Sequence, residues 1–498
     1  MRVVKNQQMQ IGEVDISTIK FNPKSRDDIP QVLMGLQYIY VNTSVREEVF
    51  SLLIKNFSPE TNKNNGRPGM EIWSILVMGV LRLNLNIDYD RLHELVNEHR
   101  TIREILGHGF FDEYYEYNLQ TIKDNVRLLT PELLDNINMI VVKSGHALVK
   151  KKEDGELMCR ADSFVVETHV HFPTDISLLF DATRKVISLI SDLCNKYGLT
   201  DWRQSEYNIR LIKRLMRSAQ NKKRSKAKDE DKKTEREALI VEAHQVYIDT
   251  AQGYVVKAIA TLLVLEPTII SNPQDAKTIE EINRFIKDSE RQISQIKRRI
   301  IIGESIPHDE KVFSIFQPHT EWISKGKAGV PVELGLRVCV LEDQYQFILH
   351  HIVMEKQTDD QVAVLIIREA KSKFPDLHSC SFDKGFHSPE NQKILNDELE
   401  FLVLPRKGKL SKQAQEIEQS EEFRKAKKQH SAIESAINAL EIHGLDVCPD
   451  NGIHGFKRYC ALAIVARNIQ RIGAILKKQH DMERIKNKKH LDTYKKVA

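Results

Sequence analysis

Apolar residues recur at helical spacing through much of the N-terminal third of the chain. The helical pattern begins near Ser44, which forms a capping box with Glu47 three residues later. A further helix is expected to begin at Pro131, because proline is well accommodated at the first helical position. The pattern therefore predicts an all-helical region over residues 41–150, preceded by an irregular leader at residues 1–40.

Alternating apolar and polar residues first appear over residues 156–173 and predict a strand that ends at Pro173. The following stretch, 176–310, is mostly helical in pattern. Within it, isoleucines fit the a and d positions of a heptad seam, interrupted at Ser289, at positions 279, 282, 286, 293, 296 and 300. We expect this seam to form an antiparallel helical hairpin ending at Gly303, rather than an intermolecular coiled coil.

Strands and helices then alternate in short segments. The pattern predicts strand, strand, helix, strand, helix, strand and helix over residues 332–343, 344–354, 358–374, 377–383, 388–397, 400–405 and 430–444. With the first strand, this is the element order of a ribonuclease H-like α/β fold that is interrupted after its first strand by a helical insertion.

The expected domain organisation follows from these patterns. It comprises an irregular leader, a helical N-terminal domain for DNA binding or dimerisation, the first part of the catalytic domain, a helical insertion, the remainder of the catalytic domain and a basic tail, at residues 1–40, 41–150, 151–176, 177–315, 316–476 and 477–498.

Composition narrows the class of protein. The chain has 498 residues, of which 29% are charged and 41% hydrophobic, as in a soluble protein of two or three domains. Its apolar runs are shorter than a membrane span requires, and its N-terminal residues lack the apolar core of a secretory signal. The six cysteines show no CxxC spacing, so neither a disulfide framework nor a zinc site is indicated. We expect a cytoplasmic protein that does not enter a membrane.

The net charge of +4 conceals strongly basic segments. Residues 209–236 contain twelve Lys or Arg against four Asp or Glu, and the segments 405–412, 424–428 and 477–498 are also basic. Several basic segments in one chain favour a nucleic-acid partner. Because Lys222–Lys233 has almost no apolar residue, we expect it to be a mobile loop that contacts the DNA backbone.

Three acidic residues occupy positions where such a fold would bring them together. Asp162 lies in the first strand and Asp383 ends the fourth, and these two strands are neighbours at the centre of the sheet. Glu434 lies on a late helix beside its apolar stripe. It shares a polar stripe with His430, Asn438 and Glu441.

Converging carboxylates are suited to phosphodiester chemistry. Two Mg²⁺ (or Mn²⁺) ions about 4 Å apart activate the attacking oxygen and stabilise the leaving oxygen, and they bind hard carboxylate oxygens. We therefore predict that Asp162, Asp383 and Glu434 are the catalytic and metal-binding residues. Taken singly, each is also compatible with a turn, strand or surface position, and Glu321 or Glu333 is an alternative ligand.

Two further segments allow more than one interpretation. Glu167, His169 and His171 alternate along one strand face, which suits a polar surface, contact with DNA or metal binding. Lys325 and Lys327 lie in a glycine-containing loop before the second strand. That loop suits either phosphate contact or a plain surface role.

Four stretches of the chain resemble a known family. ADSFVVETHVHFPTD (161–175), FDKGFHSPENQ (382–392) and the segment 430–473 are similar to a group of bacterial insertion-sequence DDE transposases, and the helical stretch 67–99 is similar to their N-terminal domain. The resemblance spans about residues 40 to 476. Its most specific motifs surround the three acids.

This resemblance implies an enzyme that binds the terminal inverted repeats of an insertion sequence, cuts them and joins them to target double-stranded DNA. It implies that Asp162, Asp383 and Glu434 hold the metal ions, and holding two ends together implies a homodimer in the DNA complex. The alternatives are a metal-dependent nuclease that cuts without strand transfer, and an inactive DNA-binding relative.

One departure from the family concerns how the DNA end is held. Related elements with a Tyr-Arg-Glu-Lys signature place Arg four residues before the Glu and Lys seven after it, whereas this chain has His430 and Glu441. Basic residues elsewhere are candidate substitutes for DNA binding. The candidates for DNA contact are Lys325, Lys327, Lys384, Arg406, Lys407, Arg424, Lys427, Lys428 and His430.

Overall fold

A computed structural model shows how these segments fold. It describes residues 13–22, 24–57, 69–109, 112, 115–149, 155–224, 230–269, 272–324 and 331–497. The chain divides into two compact units. One comprises Met1–His169 together with Ile323–Ala498, and the other comprises Val170–Trp322.

The first unit begins with helices and enters the sheet through one strand. These elements are α1 (Ile29–Val41), α2 (Thr43–Phe57), α3 (Ile72–Asn84), α4 (Tyr89–Glu98), α5 (Arg100–Ile105), α6 (Leu119–Val126), α7 (Pro131–Val149) and β1 (Leu157–Thr168). The second unit contains α8 (Asp175–Lys196), α9 (Ser205–Arg224), α10 (Glu230–Ile269) and α11 (Pro273–Ile296).

The later part of the chain returns to the sheet and ends in a long helix. Its elements are β2 (Glu321–Ser324), β3 (Val332–Asp343), β4 (Ile348–Met354), α12 (Asp359–Lys373), β5 (Leu377–Phe382), α13 (Pro389–Glu398), β6 (Phe401–Val403), α14 (Lys412–Gln419), α15 (Glu421–His430), α16 (Ala432–Leu440), β7 (Val447–Cys448) and α17 (Gly452–Val497). The predicted strands and helices of residues 332–405 are confirmed.

The described strands form one mixed, seven-stranded sheet, so the protein is of the α/β class. The central strand β1 pairs antiparallel with β3 and parallel with β5. Beyond these, β3 pairs antiparallel with β4, and β5 pairs parallel with β6. The predicted neighbours at the sheet centre, the first and fourth strands of the expected order, are β1 and β5.

The N-terminal helices and the sheet share one hydrophobic core. A buried chain of amides joins three of its elements: Asn468 on α17 donates to Asn138 on α7 at 2.7 Å, and both donate to the carbonyl of Ile348 on β4. The boundaries expected at residues 41 and 150 therefore do not enclose a separate compact unit. A helix that is apolar on every side, such as α3, can be buried only by packing against other parts of the chain.

The irregular leader expected at residues 1–40 is in part a helix, because α1 spans Ile29–Val41. Its apolar residues surround the helix and so show no clear period, which explains the failed prediction. The chain ends differently from expectation as well. The basic residues after position 476 continue α17 rather than forming a separate tail.

The second unit is a helical bundle in which the isoleucine seam packs within the chain. Ile282 and Ile286 lie in one apolar cluster with residues of α8 and α10, and Ile293 and Ile296 lie in another. At the break in the seam, the buried Ser289 hydroxyl donates to the carbonyl of Phe285 at 2.9 Å. The expectation of intramolecular packing is confirmed.

The basic stretch of this unit is more helical than predicted. Lys222 and Lys223 belong to the last turn of α9, and α10 already begins at Glu230. The expected loop at 222–233 is therefore helical at both ends. Its central residues, 225–229, lie outside the described part of the chain.

Two described helices are long and apolar enough to cross a membrane by length and composition alone, Lys233–Leu265 and Gly452–Lys486. In the second, 78% of the most apolar window is buried inside the protein, against 39% in the first. Core helices of soluble proteins show the same property, so these windows are weak indications of a membrane span. The six cysteines are all free and buried.

Candidate active site

A gap beside the central strand marks the candidate site. The last residue of β1 that pairs with β5 is Ala161, opposite Phe382, and β7 begins to pair only at Glu167. Among the described strands, none covers this edge of β1 between those pairs. Asp162 is the first residue in the gap, and Asp383 follows Phe382 at the end of β5. The two acids thus leave neighbouring parallel strands at the same level.

Glu434 reaches the same region from α16. The helix buries Ile433, Ala436 and Leu440 and leaves Glu434 exposed, as its apolar spacing predicts. A cavity of about 370 Å³ is lined by Asp162 and Glu434 together. Its polar lining also includes Arg337, Asn438 and Glu441, and neither Glu321 nor Glu333 contributes to it.

The electrostatics of Asp162 show which acids are close. Burial, as the largest influence, and repulsion by Asp383, Asp359 and Glu434 raise the pKa of Asp162 to about 6. The backbone N–H of Ser163 donates to Asp162 Oδ1 at 2.7 Å and acts in the opposite direction. Asp162 therefore lies within electrostatic range of the two other predicted acids and of a fourth acid, Asp359.

The fourth acid, Asp359, was not among the predicted site residues. It is the first residue of α12, and its Oδ1 accepts a hydrogen bond of 2.6 Å from the Ser163 hydroxyl. Thr358 is the N-cap residue of this helix, as its sequence predicts, and its backbone N–H donates to the Gln361 side chain at 3.0 Å. That signal locates the helix start along the chain. The position of Asp359 beside Ser163 of β1 depends on how α12 packs on the sheet.

His430 lies within electrostatic range of Asp383 and Arg160. His430 Nδ1 is 3.0 Å from the Ser381 hydroxyl, and burial lowers the pKa of this histidine. Arg160 on β1 donates to the carbonyls of Asp343 at 2.9 Å and Gln429 at 3.3 Å. His430 is thus a half-buried neighbour of the acids rather than an exposed DNA-contacting side chain.

The other predicted basic residues fall at several places. Lys384 is exposed directly after Asp383, and the Lys407 ammonium donates to the Gly385 carbonyl at 2.8 Å. On α15, the side chains of Arg424, Lys427 and Lys428 are exposed. Arg406, which follows β6, is half-exposed. Lys325 and Lys327 lie outside the residues that the structure describes.

The predicted polar strand face near the end of β1 does not join the acidic cluster. Glu167 pairs in register with Val447, and the His169 backbone N–H donates to Cys448. His171 Nε2 lies 3.5 Å from Asp181 Oδ2, an ion-pair distance when the imidazole is protonated. These contacts are those of a polar surface.

Two other groups of side chains in the described residues have metal-ligand spacing. In Asp135, His350 and His351, the place of a cation is taken by the Lys373 ammonium, which lies 2.5 Å from Asp135 and 3.1 Å from His350. The other group is Glu156, His378 and Glu400. Here the His378 imidazole contacts the exposed carboxylates of both glutamates.

The residues at the gap are chemically suited to divalent cations. Asp162, Asp383, Asp359 and Glu434 offer only hard oxygen donors, which Mg²⁺ and Mn²⁺ prefer. Their mutual repulsion is relieved when a cation lies among them, because a cation stabilises the ionised form of each. The donor set therefore fits one or two such ions. Comparison of the chain with models of protein families, with curated proteins and with solved structures finds no match in any of the three.

Proposed function

We propose that this protein is a metal-dependent DNA-cleaving and DNA-joining enzyme, an insertion-sequence transposase with a ribonuclease H-like catalytic fold. The observation that carries the proposal is the placement of three acids at the gap beside β1: Asp162 and Glu434 line one cavity, and Asp383 leaves the neighbouring strand at the level of Asp162. The resemblance to insertion-sequence transposases had selected the same three residues from the sequence.

The sheet supports the fold assignment. Read across the sheet, the strands lie in the order β4, β3, β1, β5, β6, with β3 antiparallel to its neighbours and β1, β5 and β6 parallel. In chain order these are the third, second, first, fourth and fifth strands of the expected set. This is the arrangement expected of a ribonuclease H-like fold, with the second unit inserted after β1.

The chemistry assigns a task to each side chain. Bound Mg²⁺ or Mn²⁺ would supply Lewis acidity and an activated water or hydroxyl for phosphodiester cleavage. Asp162 and Asp383 would hold the ions from neighbouring strands, and Glu434 would hold them from α16. Arg337, on the wall of the same cavity, is placed to contact a DNA phosphate there.

A nuclease without strand transfer is the second candidate. Glu441 lines the cavity at the position where related transposases carry a lysine, and it adds negative charge where a DNA end would need to be held. His430, in place of the family's arginine, contacts Ser381. Both departures favour an enzyme that binds its DNA ends more weakly.

Strand-transfer assays separate these candidates. The full chain is incubated with Mg²⁺ or Mn²⁺, a supercoiled target plasmid and labelled duplexes that carry the inverted repeats flanking its reading frame. Joining of a pre-cut end to the plasmid is the expected result. Nicking without joining would favour the nuclease, and DNA binding with neither reaction would overturn the enzymatic proposal.

A further inference from the structure

A fourth carboxylate is held at the gap by contacts to residues that adjoin both strand acids. Asp359 Oδ1 accepts the 2.6 Å hydrogen bond from Ser163, the neighbour of Asp162. A Cβ built on Gly385, two residues after Asp383, would lie 3.0 Å from Asp359 Oδ2. A larger residue at position 385 would press on this carboxylate. Asp359 is thus fixed between β1 and the segment that follows β5.

We propose that Asp359 is a fourth metal-binding carboxylate of the site, positioned by the Ser163 hydroxyl and by the open space at Gly385. The inference rests on the proposed function, because the ions that Asp359 binds are those assigned to Asp162, Asp383 and Glu434. It adds a ligand that the three-acid pattern of the resembling transposases does not include.

A purely structural role explains Asp359 less well. Acids in the first turn of a helix favour the helix dipole, but Asp360 occupies that turn as well. The start of α12 already has a cap, because the Gln361 side chain accepts a hydrogen bond of 3.0 Å from the Thr358 backbone N–H. Accepting a bond from Ser163 requires only an oxygen, which an asparagine would supply without a charge.

The carboxylate of Asp359 adds to the negative charge around Asp162, which it repels. Four ionised carboxylates carry four negative charges, which two divalent cations balance in full. The fourth acid therefore completes the charge balance of two bound cations and should strengthen their binding.

Manganese titration of the full chain tests this role. Isothermal titration calorimetry with Mn²⁺ compares the wild type with Asp359→Asn, and with Asp360→Asn as the matched control from the same helical turn. We expect Asp359→Asn to weaken Mn²⁺ binding about tenfold or more, and Asp360→Asn to leave it unchanged.

Asp162→Asn, measured in the same experiment, distinguishes the failure of the Asp359 role from the failure of the whole metal site. Loss of Mn²⁺ affinity in Asp162→Asn with unchanged affinity in Asp359→Asn would overturn the role of Asp359 and leave the proposed function intact. Unchanged affinity in both variants would overturn the metal site and this inference with it. If Asp359→Asn does not fold, Ser163→Ala provides the test, because it keeps every acid and removes only the hydrogen bond that positions Asp359. A several-fold loss of affinity is expected in that variant, and none would overturn the proposal.

Discussion

Asp162 and Asp383 each stand one residue beyond the same register pair, Ala161 and Phe382. Because β1 and β5 are parallel, their chains leave this pair in the same direction and present the two carboxylates side by side. The spacing is a property of the backbone register. A change at either acid alters the chemistry of the site without removing what positions it.

Neutralising any one of the three acids should abolish metal-dependent cleavage. Asp162→Asn, Asp383→Asn and Glu434→Gln keep the side-chain size and remove a charge, so we expect losses of about a thousandfold or more in cleavage rate, with end binding retained. Asp397→Asn, an exposed acid on α13, serves as the control. The assay is cleavage of a labelled inverted repeat in Mg²⁺. Normal cleavage by any of the three variants would remove that residue from the site.

The stability of the metal-free protein should depend on pH through Asp162. Its pKa is about 6 in the folded protein against 3.8 for an unperturbed aspartate, so between these values the folded state binds more protons than the unfolded one. Its contribution therefore becomes unfavourable as the pH rises from 4 through 6, by about 2–3 kcal/mol in total. Urea unfolding should show Asp162→Asn to be more stable than the wild type at pH 7.5 and equal near pH 4. A constant difference across this range would contradict the raised pKa.

Binding of Mn²⁺ should weaken in acid for the same reason. Below pH 6 a proton occupies Asp162 and must leave before an ion binds, so the affinity should fall by up to tenfold for each pH unit. Titrations at pH 5, 6 and 7.5 measure this. The Mn²⁺ affinity that remains in Asp162→Asn should depend less on pH. Equal pH dependence in both proteins would place the titrating group elsewhere.

Arg337 should contribute to DNA binding rather than to metal binding. Its side chain lines the cavity that contains Asp162 and Glu434. We expect Arg337→Gln to weaken binding of a DNA end by roughly tenfold and to reduce the salt dependence of binding by about one phosphate contact. The exposed Lys393→Gln on α13 is the control. Fluorescence anisotropy across a range of salt concentrations measures both quantities, and an unchanged salt slope would exclude a phosphate contact.

The close crossing of α1 and α17 should be sensitive to a single methyl group. A Cβ on Gly35 would lie 2.1 Å from the Ile469 carbonyl oxygen, and one on Gly473 would lie 1.9 Å from that of Gln31. Gly35→Ala should therefore destabilise the protein by about 1–3 kcal/mol, because the helices must separate. In the matched control, Gly253→Ala on α10, the new Cβ meets nothing within 4 Å, and helix propensity should raise stability slightly. Thermal unfolding compares them, and equal melting temperatures for Gly35→Ala and wild type would contradict the packing.

The sequence predicted those parts of the fold that depend on local chemistry. Thr358 and Ser388 are N-cap residues that start helices, the second through its side chain, and the alternation around Asp162 and before Asp383 marks two strands. The order of elements then made these strands neighbours. For this reason the meeting of Asp162 and Asp383 could be foreseen from the sequence.

The remaining features depend on packing between distant segments. Asp359 looks like an ordinary first-turn acid until α12 is placed against β1, and Arg337 looks like an ordinary polar residue of a strand. The helix α1 escaped prediction because its apolar residues face several neighbours at once and show no single stripe. In each case the information lies in the partner surface, which no local pattern contains.

The contact between α1 and α17 has a consequence for how the protein is made. Gly35 and Ile469 are 434 positions apart in the chain, so α1 leaves the ribosome long before the helix that covers it has been synthesised. Until then the apolar sides of α1 and α3 lack their final partner, and exposed apolar surface of this kind favours aggregation. The gap that holds the acids is likewise completed late, because β7 and α16 come only just before α17. A half-made chain therefore carries Asp162 but has no assembled site, so the proposed DNA cleavage would become possible only when translation is almost complete.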